Sequence, residues 1–480
     1  MKPIFNQTWA LSAVLLNMAG LGMVLSFTTC LLAALRSTDS EIHIDLNIAS
    51  WLGSSVGLAG IPGYMFSAYL MNWKGRRLTH AVVLLPGMIG WIFIYFASDV
   101  TTLMIGRNLG GLTVGGTVCL GAIVVGEYSS PNNRGMFLNL KTASFCLGGL
   151  IIHFLGHFFY WRTVALIAVL PYPISLFIIY TWPESPSWLA SKKEFKKCED
   201  AFYWLRGKSE TSQKELEELI RSQKDKPDYK RKITVMKQFK GLVMKFTKRD
   251  FIKPMIIIFL SAFLIEASGR HIFPAYALQI IGEVTGSKSQ LFYYTLAIDV
   301  IITTSATFSS VLVKIFKRRT LLFASGFSSL FVLFCVCAFI YLLSVGRISK
   351  NYSIVPIALL MTYFLLVNLG CTAIPLSLLG EVLPLSHRGV GTALSGLILS
   401  LLSMLALQVT PYLLDGINVH GTYAVFGSAM GITLVIFYFV LPETKDRTLQ
   451  EIEEYFKYGQ FKEENEIEEE DTDAKIKMIS

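Results

Sequence analysis

The stretch Glu127-Tyr128-Ser129-Ser130-Pro131-Asn132-Asn133-Arg134-Gly135 has a second copy in outline: Glu381 is followed seven residues later by Arg388-Gly389. Each copy closes a long apolar run. Two other motifs repeat in the same order. Asn72-Trp73-Lys74-Gly75-Arg76-Arg77 follows the second apolar run, and Lys314-Ile315-Phe316-Lys317-Arg318-Arg319 follows the eighth. Pro183-Glu184-Ser185-Pro186 closes the sixth run, and Pro442-Glu443-Thr444 closes the twelfth. Three motif pairs in one order indicate an internal duplication, with two parallel halves of six apolar runs each.

The runs lie at roughly 9–35, 48–71, 79–98, 103–126, 136–160 and 163–182, then 254–281, 289–313, 320–344, 353–380, 390–414 and 420–441. At 1.5 Å per residue each can cross a hydrocarbon core of ~30 Å. Only helices satisfy their own backbone there, so the expected fold is an all-α membrane protein of twelve helices in two six-helix bundles. The division expected is 1–182 and 254–441 for the bundles, 183–253 for a basic linker and 442–480 for an acidic tail. Composition agrees. The 480 residues are 53% hydrophobic and 16% charged, with a mean hydropathy of +0.51, which excludes a soluble enzyme or a disordered chain. The net charge of +9 sits in loops between apolar runs, so it does not indicate nucleic acid. Seven cysteines without paired spacing indicate neither a disulfide framework nor a metal site, and no cofactor motif is present. The apolar stretch after Thr8 is too long for a signal peptide and reads as the first span.

Loop charge sets the expected orientation. One side carries nine basic residues in its short loops, among them Arg76, Arg77, Arg134, Arg318, Arg319 and Arg388; the other carries five. The positive-inside rule puts the first set in the cytoplasm with both termini. The linker, with 19 Lys/Arg against 11 Asp/Glu, falls on the same side and reads as solvated and partly helical, within reach of anionic lipid. The tail, with 13 acidic and 6 basic residues, reads as disordered beyond about Tyr458. Asn351-Tyr352-Ser353 is the one external sequon expected.

With these motifs in that order, and with Ala49-Ser50-Trp51-Leu52-Gly53-Ser54, Gly106-Arg107 and Trp161-Arg162, the chain resembles the sugar porter branch of the major facilitator superfamily, trehalose-transporter-like members included. The resemblance covers nearly the whole chain. It implies alternating access in the plasma membrane, a small-molecule substrate and no enzyme activity. It also implies ion pairs at the cytoplasmic ends that lock and release the halves, from Arg76, Arg77, Glu127, Arg134, Arg318, Arg319, Glu381 and Arg388. The chain departs from the family pattern at both basic loops: Asn72 replaces an acidic residue, Lys314 and Lys317 replace an acidic residue and a glycine, and Ser187 replaces an arginine.

Ionisable residues at membrane depth are costly and so mark candidate sites. Arg107 matches the family's arginine, whose partner in proton-coupled members is an aspartate on span one; Trp9–Leu35 contains no Asp or Glu, which favours facilitated diffusion. Thr142 falls where glucose transporters bind sugar with a glutamine, although a threonine can equally bond the preceding turn. Lys141 is expected to snorkel toward the cytoplasmic face. In span seven, Ile265-Glu266-Ala267-Ser268-Gly269-Arg270-His271 keeps Ser268-Gly269 and replaces the family's glutamines and asparagine with Ile265, Glu266 and His271. Glu266, His271, Ser268 and Thr142 are the candidate substrate residues. Glu266 and Arg270 are also spaced to neutralise each other at i, i+4. Asp299, the only charge in span eight, is expected to pair with Arg270. Three family sugar contacts are replaced, at Leu376, at Leu399-Ser400 and at Ile302. Transport of trehalose or a hexose is the first expectation. A carrier of another solute, proton-coupled through Glu266 or His271, and a non-transporting sensor stay open beside it.

Overall fold

The computed structural model describes residues 3–37, 41–224, 249–285, 290–348, 354–382, 388–445 and 455–456. The Asn351 sequon, the second part of the linker and nearly all of the tail lie outside the described residues. The first half consists of α1 (Pro3–Leu35), α2 (Leu46–Lys74), α3 (Arg76–Tyr95), α4 (Val100–Tyr128), α5 (Pro131–Phe158), α6 (Trp161–Ile167) and α7 (Pro171–Thr181). Three short helices follow: α8 (Pro186–Ser191), α9 (Phe195–Arg206) and α10 (Glu210–Lys224). The second half is α11 (Arg249–Ala267), α12 (Ile272–Thr285), α13 (Leu291–Ile315), α14 (Arg318–Ser344), α15 (Ile354–Leu369), α16 (Ala373–Glu381) and α17 (Arg388–Val440). The described residues contain no strand.

Ten helical runs among the described residues are long and apolar enough to cross a membrane. The twelve expected crossings follow from two further features. First, α2 falls below that apolarity because it carries Ser50, Ser54, Ser55 and Ser67, all buried inside the bundle rather than facing lipid. Second, α17 has 53 residues, roughly 80 Å of helix, far more than one crossing needs. It is broken at Asn418 (φ 56, ψ −177), where the chain turns back. Asparagine tolerates this left-handed backbone better than other non-glycine residues.

Three other crossings are discontinuous. The helix of span seven stops at Ala267 and restarts at Ile272, with Gly269 at φ +74, a conformation that a Cβ would strain. Span ten is interrupted between Leu369 and Ala373, and span six between Ile167 and Pro171. The strand-free alternation of crossings gives the molecule a near end, which carries Pro3, Thr181 and Val440, and a far end opposite. The linker docks on the near end: Asn6 Nδ2 donates to Trp204 O at 2.7 Å, Gln7 Nε2 to Leu205 O at 3.1 Å and Arg206 Nη2 to Ser129 O at 2.7 Å. Its helices α8–α10 have a small core of their own around Leu189, Cys198, Phe202 and Leu216. This stretch is therefore packed rather than freely solvated.

Candidate substrate cavity and the two gates

The breaks in spans seven and ten face one cavity. It has a volume of about 460 Å³ including its opening to solvent, and both halves line it. Ser26, Phe145, Cys146 and Gly149 come from the first half; Ser268, Gly269, Arg270, Asp299, Asn368 and Thr372 are among those from the second. Interrupted helices at mid-membrane free backbone groups that can be tolerated only where they border protein or a cavity.

The charged residues around it are not paired as their spacing suggested. Asp299 does not meet Arg270. Its Oδ2 lies 2.5 Å from His153 Nδ1, and His153 Nε2 lies 3.0 Å from Pro274 O. Glu266 likewise pairs with His271, Oε1 to Nδ1 at 2.8 Å, and not with Arg270 at i+4. The reason is the break itself. Gly269 ends the helical register on which i, i+4 geometry depends, and carries His271 back over Glu266. Arg270 instead places its guanidinium 5.0 Å from the centre of the Phe145 ring. Lys141 is half-buried, with its side chain passing beside Gly121 of α4. Of the candidate substrate residues, Ser268 lines the cavity, its hydroxyl donating to Ile265 O at 2.7 Å. Glu266 and His271 flank that segment as a pair, with Ser403 Oγ 3.2 Å from His271 Nδ1. Thr142 is half-buried on α5 on the face of Phe145 and Cys146, outside the lining. Asn368, Thr372 and Ser26 escaped the sequence reading; the two polar side chains four residues apart in span ten were the available signal.

Arg107 is 1% exposed and, among the described residues, pairs with no carboxylate. It donates to Val24 O at 2.6 Å, to Leu52 O at 3.0 Å and to Thr28 Oγ1 at 2.6 Å. The span-one groups that meet this arginine are thus a backbone carbonyl and a neutral hydroxyl.

At the far end the halves are joined. Arg36 Nη1 donates to Gln279 Oε1 at 3.0 Å, Tyr412 OH to Asn47 Oδ1 at 2.5 Å, Thr29 Oγ1 to Pro274 O at 2.7 Å and Ser50 Oγ to Gln408 O at 2.6 Å. His153–Asp299 belongs to the same set, since α5 and α13 are in different halves. Every side-chain hydrogen bond between the halves seen among the described residues lies in this outer part.

The near-end motifs are joined within each half. Arg76 makes a two-pronged pair with Glu127, Nη2–Oε1 at 2.6 Å and Nε–Oε2 at 2.8 Å, and Ser185 Oγ also reaches Glu127. Glu184 accepts the backbone N–H groups of Arg76 (2.8 Å) and Arg77 (3.1 Å) at the start of α3. Burial pushes the Glu184 carboxyl up, against those N–H donors, which lower it. The second half repeats this design: Glu443 accepts the N–H of Arg318 at 3.1 Å and of Arg319 at 3.0 Å at the start of α14. Arg77 Nη2 donates to Tyr180 O, and Arg319 Nη2 to Tyr438 O at 2.8 Å. In each half the Pro-Glu motif therefore closes, with its carboxylate, the helix N-terminus that the basic-loop motif begins, where unpaired N–H groups and the helix dipole favour negative charge. Arg134 is exposed, with no ion pair among the described residues. Glu381 and Arg388 lie on helices, and their side chains fall outside the described residues.

Comparison with known proteins gives the architecture a family. The chain is 28% identical over 458 residues to a facilitated trehalose transporter Tret1 of Drosophila mojavensis, covering 94% of this chain and 52% of that protein. It is 26% identical to the protein of the same name from Apis mellifera ligustica, covering 95% and 89%. The chain spans about half the length of the first curated relatives it matches. Among solved structures, the proton:xylose symporter XylE bound to 6-bromo-6-deoxy-D-glucose superposes with a TM-score of 0.75 at 18% identity, over 94% of this chain and 99% of that one. The inward open conformation of XylE from E. coli gives 0.73 at 17% identity, over 92% and 98%. The model of the family described as "Sugar (and other) transporter" matches residues 17–456, so by sequence as well as by fold the chain belongs to that transporter family.

Proposed function

We propose that the protein carries a sugar or related polyhydroxylated solute across the plasma membrane down its gradient, by alternating access between two rocking halves. Residues 1–182 and 254–441 form those halves; both termini and the linker lie in the cytoplasm. The observation that carries this reading is the cavity between the halves, lined by the broken helices and closed at the far end by bonds that cross from one half to the other. Trehalose and hexoses are the first solutes to test, because relatives are named for trehalose transport. Arg107, held by carbonyls and Thr28, supports uniport, since no acid on span one can exchange a proton with it. The near-end carboxylates and arginines act as the gate of the inner mouth: with the far end closed, their pairs are retained within each half.

A second reading has the buried His153–Asp299 and His271–Glu266 pairs in its favour, since each can bind a proton and thereby couple transport to one. One experiment separates the two. Labelled trehalose, glucose and a panel of non-sugars are offered to transporter-null cells that express the chain, with and without a protonophore. Uptake that equilibrates and ignores the protonophore supports uniport. Accumulation that the protonophore abolishes supports proton coupling, and absence of uptake across the panel refutes transport of these solutes.

A further inference from the structure

Arg270 is a cation at membrane depth that no acid pairs with among the described residues. It lines the cavity, and among the described residues it makes no hydrogen bond and no ion pair; its recorded neighbour is the face of Phe145 at 5.0 Å. A guanidinium has five N–H donors in a rigid fork. The two carboxylates close by are already committed, Glu266 to His271 at 2.8 Å and Asp299 to His153 at 2.5 Å. Each acid is thus engaged by a histidine, and the Arg270 guanidinium has no acid of its own among the described residues.

We infer that the solute bound in this cavity is a polyhydroxylated anion, a sugar carboxylate or sugar phosphate, whose acidic group docks on Arg270. The inference rests on the transport reading above and narrows its substrate. Three features argue for it together. Arginine matches carboxylate and phosphate oxygens with two parallel bonds, a fit that a neutral hydroxyl cannot reproduce. Electrostatic attraction in a site shielded from water is stronger than at a surface, so this cation discriminates between anionic and neutral solutes. The rest of the lining suits a polyol: Ser26 Oγ is buried without a partner, and Ser268, Asn368 and Thr372 add polar groups around it. Phe145 and Phe273 offer apolar faces for the ring.

The positions of the replaced sugar contacts agree with this assignment. Ile302, where an amide is usual in sugar porters, lines the same cavity as Arg270, so one position that would read a neutral sugar's hydroxyls is apolar here.

The test uses the full chain in transporter-null cells with labelled glucose, glucuronate and glucose 6-phosphate, alongside binding to the purified protein read as a thermal shift. The expected result is that glucuronate or glucose 6-phosphate is taken up, and shifts the melting temperature, at a concentration about tenfold or more below that needed for glucose, as two charge-assisted bonds require. The two acids are separate arms and tell carboxylate from phosphate. Arg270→Gln should remove that preference, and Arg270→Lys should retain part of it. Glucose preferred to or equal with both acids in the unmutated chain overturns the inference, whether or not the variants fold. If nothing is taken up, the transport reading fails, and the thermal shift still decides whether the site prefers an anion.

Discussion

His153 Nδ1 lies 2.5 Å from Asp299 Oδ2, and the two residues belong to different halves of the molecule. Pro274 O, 3.0 Å from His153 Nε2, can only accept a hydrogen bond, so Nε2 carries a proton. A second proton must then lie between Nδ1 and Oδ2, on whichever of the two holds it. Both side chains are almost wholly buried, so separation of the halves has to expose a bond that this conformation keeps dry. A buried pair of this kind is strongly destabilised when one partner alone is removed.

The first prediction follows. Asp299→Asn or His153→Gln alone should lower transport or the amount at the cell surface severalfold. The double variant should do better than the two losses combined, because it leaves no unpaired buried charge. Transport per surface copy measures this coupling. Strictly additive losses would mean that the contact links nothing; recovery by Arg270→Gln in place of His153→Gln would return Asp299 to the arginine.

The carboxylate caps at the near end give a second prediction. Glu184 and Glu443 each accept backbone N–H groups at the start of a helix, α3 and α14. Loss of a cap of this type costs ~0.5–2 kcal/mol. Glu184→Ala and Glu443→Ala should therefore lower the melting temperature of the purified protein by similar amounts, while Glu184→Gln, which retains an acceptor oxygen, should lower it less. A large fall for one and none for the other would break the structural equivalence of the halves.

Orientation gives the third. A tag placed at Lys208, in the turn between α9 and α10 on the near end, should be unreachable in intact cells and labelled after permeabilisation. Labelling without permeabilisation would reverse the assignment of cytoplasmic and external ends.

The parts of the molecule that the sequence disclosed, and those it hid, differ in physical kind. Apolar length and repeated polar motifs are local signals, and they located the crossings even where α17 runs through two of them as one broken helix. The caps repeat because Glu184 and Glu443 occupy equivalent positions after equivalent spans, so the duplication read from sequence reappears as duplicated geometry. Pairing among buried charges is not local. Asp299 faces His153, 146 residues away, because α5 and α13 pack across the halves, and no spacing rule reaches that far. Even the short-range expectation for Glu266 and Arg270 gave way, because it assumed an unbroken helix where Gly269 breaks one.

The last prediction concerns the closure of the far end. Gly57 on α2 faces α17 of the other half so closely that a Cβ added there would lie 2.9 Å from the backbone N of Met404. Backbone cannot swing aside as a side chain can, so the halves would have to part. The hydrogen bonds farther out along the same two helices, Ser50 to Gln408 and Tyr412 to Asn47, would loosen with them. Gly57→Val should therefore act as a wedge that favours the far-open arrangement without touching the cavity lining. Its effect is read with a cysteine placed at Gln279, which meets Arg36 in this far-closed arrangement. In the Gly57→Val background that cysteine should react several times faster with an external thiol reagent than in the parent, while transport falls. Because a ligand shifts such an equilibrium only through its differing affinity for the two arrangements, binding by the wedge variant should also differ from that of the parent. Unchanged reactivity at Gln279→Cys, with the wedge variant folded and at the surface, would show that α2 and α17 do not part when the far end opens.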